Sequence, residues 1–168
     1  MLSRPAAIAG SALWFLIAPG TLAGLLPWLI ADGRREFDGG PVTIVAGPLL
    51  IAAGLAGLVE SFARFAIDGR ATPAPVTPAR KLIVGGLYRH VRNPMYVSVL
   101  AVIAGEALLF GEAELLVHAG IVWLVFHLFV RLHEEPAMRR SFPRDYAAYS
   151  AAVPRWLPRI RPWQAGES

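Results

Sequence analysis

The chain contains no cysteine. That absence excludes a disulfide framework, thiolate metal sites, a cysteine nucleophile and C-terminal prenylation. Charge is also scarce: 17% of the 168 residues are Asp, Glu, Lys or Arg, against about 25% in an average soluble domain. There is no GxGxxG, GxxxxGK(S/T) or GxSxG and no succession of βαβ units. A Rossmann-type nucleotide site and a hydrolase elbow are therefore not expected. His90, His127 and His133 fall at no HExxH-type spacing, so no metal site is expected either. Internal repeats are lacking, as is any tract that would make a separate soluble domain.

What is present is apolar. Hydrophobic residues make up 55% of the chain, and Pro5 to Ala31 form 27 positions without a charge, more than the roughly 20 needed to cross hydrocarbon. Only Arg4 precedes the run closely, and the run exceeds the roughly 7–15 residues of a signal-peptide core. An uncleaved first membrane helix is expected. The pattern predicts an all-α integral membrane protein, one domain over 1–168, with about four transmembrane helices at 6–30, 42–67, 94–111 and 114–132. A cytoplasmic helical tail over 133–168 follows. Asp32 to Pro41 reads as a short loop, and Thr72-Pro73-Ala74-Pro75-Val76-Thr77-Pro78 admits neither helix nor central strand.

The basic residues predict the orientation. The second loop carries Arg70, Arg80, Lys81, Arg89 and Arg92, and the tail carries Arg131, Arg139, Arg140, Arg144, Arg155, Arg159 and Arg161. The first loop carries Arg34 and Arg35, and the turn at Gly111-Glu112 carries none. Lys and Arg concentrate on the cytoplasmic side, so both termini and the second loop are expected there, in the cytoplasmic (inner) membrane. The net charge of +4 then marks topology, and no nucleic-acid partner is expected.

Two polar motifs flank the last pair of spans: Tyr88-Arg89-His90-Val91-Arg92-Asn93-Pro94-Met95-Tyr96 before them and Glu134-Glu135-Pro136 after. A helical hairpin between the motifs would bring them to one membrane face. Asn93-Pro94 reads as a helix start, with Asn as N-cap and Pro in the first turn. Its unpaired N–H groups, with Arg89 and Arg92, make an anion-receptive site; the same residues also fit a plain helix start with arginines that only mark topology. Glu134 and Glu135 diverge by about 100° on a helix. His127, Arg131 and Glu135 fall four apart, a polar ladder, so pairing with Arg131 and ligand binding are equally good accounts of the carboxylates.

Glu60 and Arg64 are spaced to pair on the second span, and Glu106 and His118 to hydrogen-bond each other near the far end of the hairpin. Phe142, Tyr146 and Tyr149 read as an interfacial stripe. The Ala53-Gly54 and Ala56-Gly57 pairs favour close helix packing, within one chain or between two copies.

Taken together, these motifs resemble the membrane-embedded methyltransferase superfamily of isoprenylcysteine carboxyl methyltransferases and phospholipid methyltransferases. The resemblance runs from about Gly69 to Pro158. It is carried by Thr72-Pro73-Ala74-Pro75, Gly86-Leu87-Tyr88-Arg89, Arg92-Asn93-Pro94-Met95-Tyr96, Glu134-Glu135-Pro136, Phe142, Tyr146, Tyr149 and Val153-Pro154-Arg155. Pro143 stands where the family commonly has Gly, and Asn93 where the isoprenylcysteine branch has His. The resemblance implies S-adenosylmethionine as cofactor, held by Tyr88, Arg89, Arg92, Asn93, Pro94, Tyr96, Glu134 and Glu135. It implies methyl transfer to a lipid or lipophilic small molecule at the cytoplasmic face. If the acceptor is an amine, His90 and Glu135 are the candidate catalytic bases. A nicotinamide-dependent membrane reductase and a non-enzymatic scaffold are the competing expectations.

Overall fold

The computed structural model describes residues 4–31, 40–65 and 82–164, apart from the side chains of 4–8 and 11. The proline-rich Thr72–Pro78 stretch, Arg34, Arg35, Arg70, Arg80 and Lys81 lie outside the described residues. The described residues are helical, without strands. Helix α1 (Arg4–Gly20) passes through a π-turn (Thr21–Leu25) into α2 (Leu26–Ile30). Then come α3 (Pro41–Arg64), a 3₁₀ turn (Gly86–Arg89), α4 (Pro94–Phe110) and α5 (Ala113–Phe129). A second π-turn (Val130–Glu134) leads into α6 (Glu135–Ser141), and α7 (Pro143–Ala152) follows. Among the described residues, three helical stretches are long and apolar enough to span a membrane, Ala12–Ile30, Pro41–Arg64 and Ala113–Ser141, and α4 is a shorter apolar helix. The last long stretch continues past the expected boundary near 132, because the π-turn carries it into α6 without a break.

Proline and glycine set the ends of α4 and α5. Pro94 opens α4, and Gly111 closes it in the left-handed conformation at φ +70°, where a side chain would be strained. The chain then turns directly into α5.

Helices α3 and α4 touch at backbone range. A Cβ at Gly47 would sit 2.9 Å from the Gly105 carbonyl oxygen, and one at Gly105 would sit 2.7 Å from that of Gly47. Gly54 packs on Ser98 and Val102, and a Cβ on Gly57 would sit 2.3 Å from Ser98 Oγ. The small residues thus pack helices within the chain, while Ala53 and Ala56 point outward. Leu58, Phe62, Val99, Val102, Ile103 and Val122 form the core beneath, with Trp14 and Phe15 packed on it. Outward-facing apolar residues such as Leu49, Val59, Leu124 and Val125 are exposed, as expected of a surface solvated by lipid.

A second cluster lies beyond the membrane helices. Tyr146, Tyr149, Val153 and Trp163 are buried together, with Leu82, Val84, Met138 and Phe142 against them. The expected interfacial tyrosine stripe is therefore corrected: at 5% and 2% exposure Tyr146 and Tyr149 are core residues. Glu106 and His118 also depart from expectation. His118 Nε2 donates to the Leu22 carbonyl at 2.8 Å, within the π-turn.

Candidate active site

The two motifs do meet. Tyr96, one turn into α4, donates its hydroxyl to Glu134 Oε1 at 2.5 Å across the hairpin and stacks on Phe126 with ring centroids 4.3 Å apart. One residue further on, Glu135 faces a different direction. Arg155 grips it with two bonds, Nε to Oε1 at 2.6 Å and Nη2 to Oε2 at 3.0 Å. Arg92 Nη1 donates to Glu135 Oε1 at 3.2 Å and reaches the Tyr146 hydroxyl at 3.3 Å. The Glu135 and Arg92 side chains are only 10% and 12% exposed, so one carboxylate is shared by two guanidinium groups in a largely dry setting.

The π-turn explains this division of labour. An extra residue in the turn rotates everything beyond it relative to the helix before, so the i,i+4 ladder of His127, Arg131 and Glu135 does not form. His127 Nδ1 instead accepts from Trp156 Nε1 at 3.2 Å, Arg131 is exposed, and Glu135 turns inward to Arg92 and Arg155. The expected Arg131 pairing is thereby replaced. Arg155, Tyr146 and Trp163 belong to the cluster although reasoning from the sequence did not place them in the site. The visible signals were Tyr146 and Val153-Pro154-Arg155 among the motifs that carry the resemblance, and an aromatic residue at 163 in an Arg-Pro-rich tail.

After α7 the chain folds back as an irregular strap, residues 153–163, over the loop that precedes α4. Arg92 N donates to Pro154 O at 2.9 Å, Arg159 N to His90 O at 2.9 Å and Trp163 N to Arg89 O at 2.9 Å. Side chains reinforce it: Arg89 Nε donates to Trp163 O at 2.7 Å, and Asn93 Nδ2 to Arg155 O at 3.1 Å. Asn93 occupies the N-cap position of α4 without a side-chain capping bond; its amide is spent on the strap. Pro94 and Asn93 are both buried, so this helix end is roofed by the chain. His90 Nδ1 donates to Arg159 O at 2.8 Å. A carbonyl only accepts, so the hydrogen sits on Nδ1, and in the neutral ring Nε2 is the acceptor.

Tyr88 completes the floor. It is buried, its carbonyl accepts from the Tyr149 hydroxyl at 2.6 Å, and burial pushes its own phenol well above the ordinary tyrosine range. Beside it Gly86 has φ +58°, and a Cβ there would sit 1.7 Å from Glu60 Oε1. Only glycine fits. Glu60 makes the expected pair with Arg64 at 2.9 Å, and among the described residues its buried Oε2 has no partner, nor has Arg92 Nε. Glu134 Oε2 makes no hydrogen bond among the described residues.

Apart from Tyr88 in the floor and Pro94 at the start of α4, the predicted residues divide into two groups. Tyr96 and Glu134 form one pair across the hairpin, and Arg89, His90, Arg92, Asn93 and Glu135 tie the strap and α7 to the pre-α4 loop. The expectation that Glu135 is open to take a proton meets a carboxylate whose two oxygens are already held by guanidinium groups. Residues 42–145, more than half of the chain, match the model of a protein family described as phospholipid methyltransferase. Neither curated proteins nor solved structures match the chain.

Proposed function

The chain belongs to the phospholipid methyltransferase family, and from that premise we propose that it transfers a methyl group from S-adenosylmethionine to a lipid or lipophilic small molecule at the cytoplasmic membrane face. Support comes first from what the site leaves unspent. Arg92 Nε is buried and has no partner among the described residues, a donor suited to the cofactor carboxylate. Glu134 engages Tyr96 through one oxygen only, leaving the other for an ammonium or ribose hydroxyl. The faces of Tyr96 and Phe126 suit a neighbouring cation. These groups fit the cofactor's charges in kind and sign.

When bound, S-adenosylmethionine supplies a methyl on an electron-poor sulfonium, whose S–C bond breaks as the bond to the acceptor forms and whose electron pair returns to sulfur. The protein's task is then alignment and exclusion of water more than acid–base work. Glu134 and Tyr96 hold the cofactor end, with Tyr88, Arg89, Asn93 and Pro94 as the surrounding wall. Glu135 is a positioning residue that fixes Arg92 and Arg155. For an amine acceptor, His90 Nε2 is the proposed proton acceptor, its ring held by Arg159. Helix α4, at 17 residues and about 1.5 Å per residue, is roughly 25 Å long, shorter than the roughly 30 Å hydrocarbon core. Its Asn93 end would then sit at the inner edge of the headgroup layer or just below it, where a lipid acceptor enters sideways and the cofactor arrives from water.

Calorimetry of S-adenosylmethionine and S-adenosylhomocysteine binding to the purified protein tests this. The expected result is micromolar binding, weakened at least tenfold (about 1.4 kcal/mol) by Glu134→Gln and by Tyr96→Ala. A folded protein that binds neither compound would refute it.

A further inference from the structure

The strap has a second side. Its backbone is committed to Arg89, His90 and Arg92, yet two of its large apolar side chains point away from the protein: Leu157 is 80% exposed and Ile160 95% exposed. No reason inside the fold requires either. Where they lie is fixed by their neighbour. Trp156 donates to His127 on α5 and its ring lies 6.3 Å from that of Trp123, and α5 carries the exposed Leu124 and Leu128 on its outer surface. The strap therefore continues the lipid-facing surface of a membrane-spanning helix at its polar end. Tryptophans concentrate at that depth, and arginines flank Ile160 on both sides as Arg159 and Arg161.

We infer that the strap is a membrane wedge: Leu157 and Ile160 seat in the headgroup–acyl boundary of the bilayer, with Arg161 at the phosphate level. The bilayer is then the missing support of the site, because the same eleven-residue stretch (153–163) that enters lipid also closes over Arg89, His90 and Arg92. Two buried leucine-sized side chains suffice for local docking of a segment already tethered at both ends. Anchoring arises from the continuity with α5 and requires neither cofactor nor substrate.

The cysteine-free chain permits a direct test. Single cysteines placed as Leu157→Cys or Ile160→Cys, with Asp145→Cys on exposed α7 as reference, are spin-labelled in phospholipid nanodiscs. Collision with oxygen is compared with collision with a water-soluble nickel chelate. The expected oxygen-to-nickel ratio is several-fold higher at 157 and 160 than at 145. Equal ratios at the three positions would overturn the wedge. So would protection from both reagents with dipolar broadening between labels, which would place a second copy of the chain over this face. As a second measurement, Leu157→Asp/Ile160→Asp in nanodiscs should expose the Arg155–Trp156 bond to trypsin. Cleavage as slow as in the unaltered protein would count against it. Neither readout depends on methyl transfer, so a failure here is separable from a failure of the cofactor assignment.

Discussion

Glu135→Gln removes one negative charge from a cluster that contains two arginines and leaves the shape nearly unchanged. The glutamine keeps one acceptor, so a hydrogen bond to Arg155 survives, but Arg92 loses its counter-charge at a side-chain exposure of 12%. Removing one partner of a buried ion pair costs about 3–5 kcal/mol. Arg155 is 27% exposed and is partly screened, which argues for the low end, about 3 kcal/mol. For a chain of this size each kcal/mol lowers the melting temperature by about 2–4 °C, so a fall of roughly 6–12 °C is expected by tryptophan fluorescence or circular dichroism in detergent. A double-mutant cycle with Arg155→Met isolates the pair. Because Arg155 has no counter-charge once Glu135 is neutral, the double variant should be no less stable than the worse single, a coupling of at least about 1 kcal/mol. A melting temperature within 2 °C of the parent, marked as roughly the smallest effect of a surface charge, together with additive singles, would refute the cluster as a structural tie.

The α3–α4 contact predicts a sharp contrast between neighbours. Gly57→Ala, whose new methyl meets Ser98 Oγ at 2.3 Å, should destabilise by about 1–3 kcal/mol, while Ala56→Leu on the outward face should be neutral in thermal unfolding; equal effects would disprove the packing. The tyrosines predict an alkaline response. Burial raises Tyr88, Tyr146 and Tyr149 above the usual phenol range, whereas the unfolded chain ionises near pH 10. Their contribution to stability is therefore intact below about pH 10 and declines as pH rises toward the folded values. Absorbance at 295 nm should show no more than one of the four tyrosines ionising near pH 10 before helix content falls. A reversible step of all four with the helices intact would contradict this.

The membrane helices and the meeting of the two motifs were legible because each rests on a long signal: uncharged length, glycine and proline at the helix ends, and two polar motifs around a hairpin. What the sequence hid has a common physical cause. The π-turns at Thr21–Leu25 and Val130–Glu134 change register without any composition signal, so His118 finds Leu22 in place of Glu106, and Glu135 finds Arg92 and Arg155 in place of Arg131. Asn93 looks like a cap by type, but its amide is claimed by a carbonyl 62 residues away. Phe142, Tyr146 and Tyr149 have the spacing of a surface stripe, and only the returning Val153 and Trp163 make them a core. Each miss is a long-range contact overriding a sound local preference.

The strap has a consequence for how the molecule is made. Arg89 meets Trp163 across 74 positions of chain, so during synthesis the Arg89–Asn93 loop and both helices of the hairpin leave the ribosome well before the segment that closes over them. Membrane insertion and site formation are therefore separate events in time. A nascent chain ending near Ala152 already has its hairpin but no roof over Arg92 and Asn93, and its Glu135 lacks Arg155. The chain crosses the bilayer first and acquires its closed site only once residues 153–163 have followed the hairpin out of the ribosome.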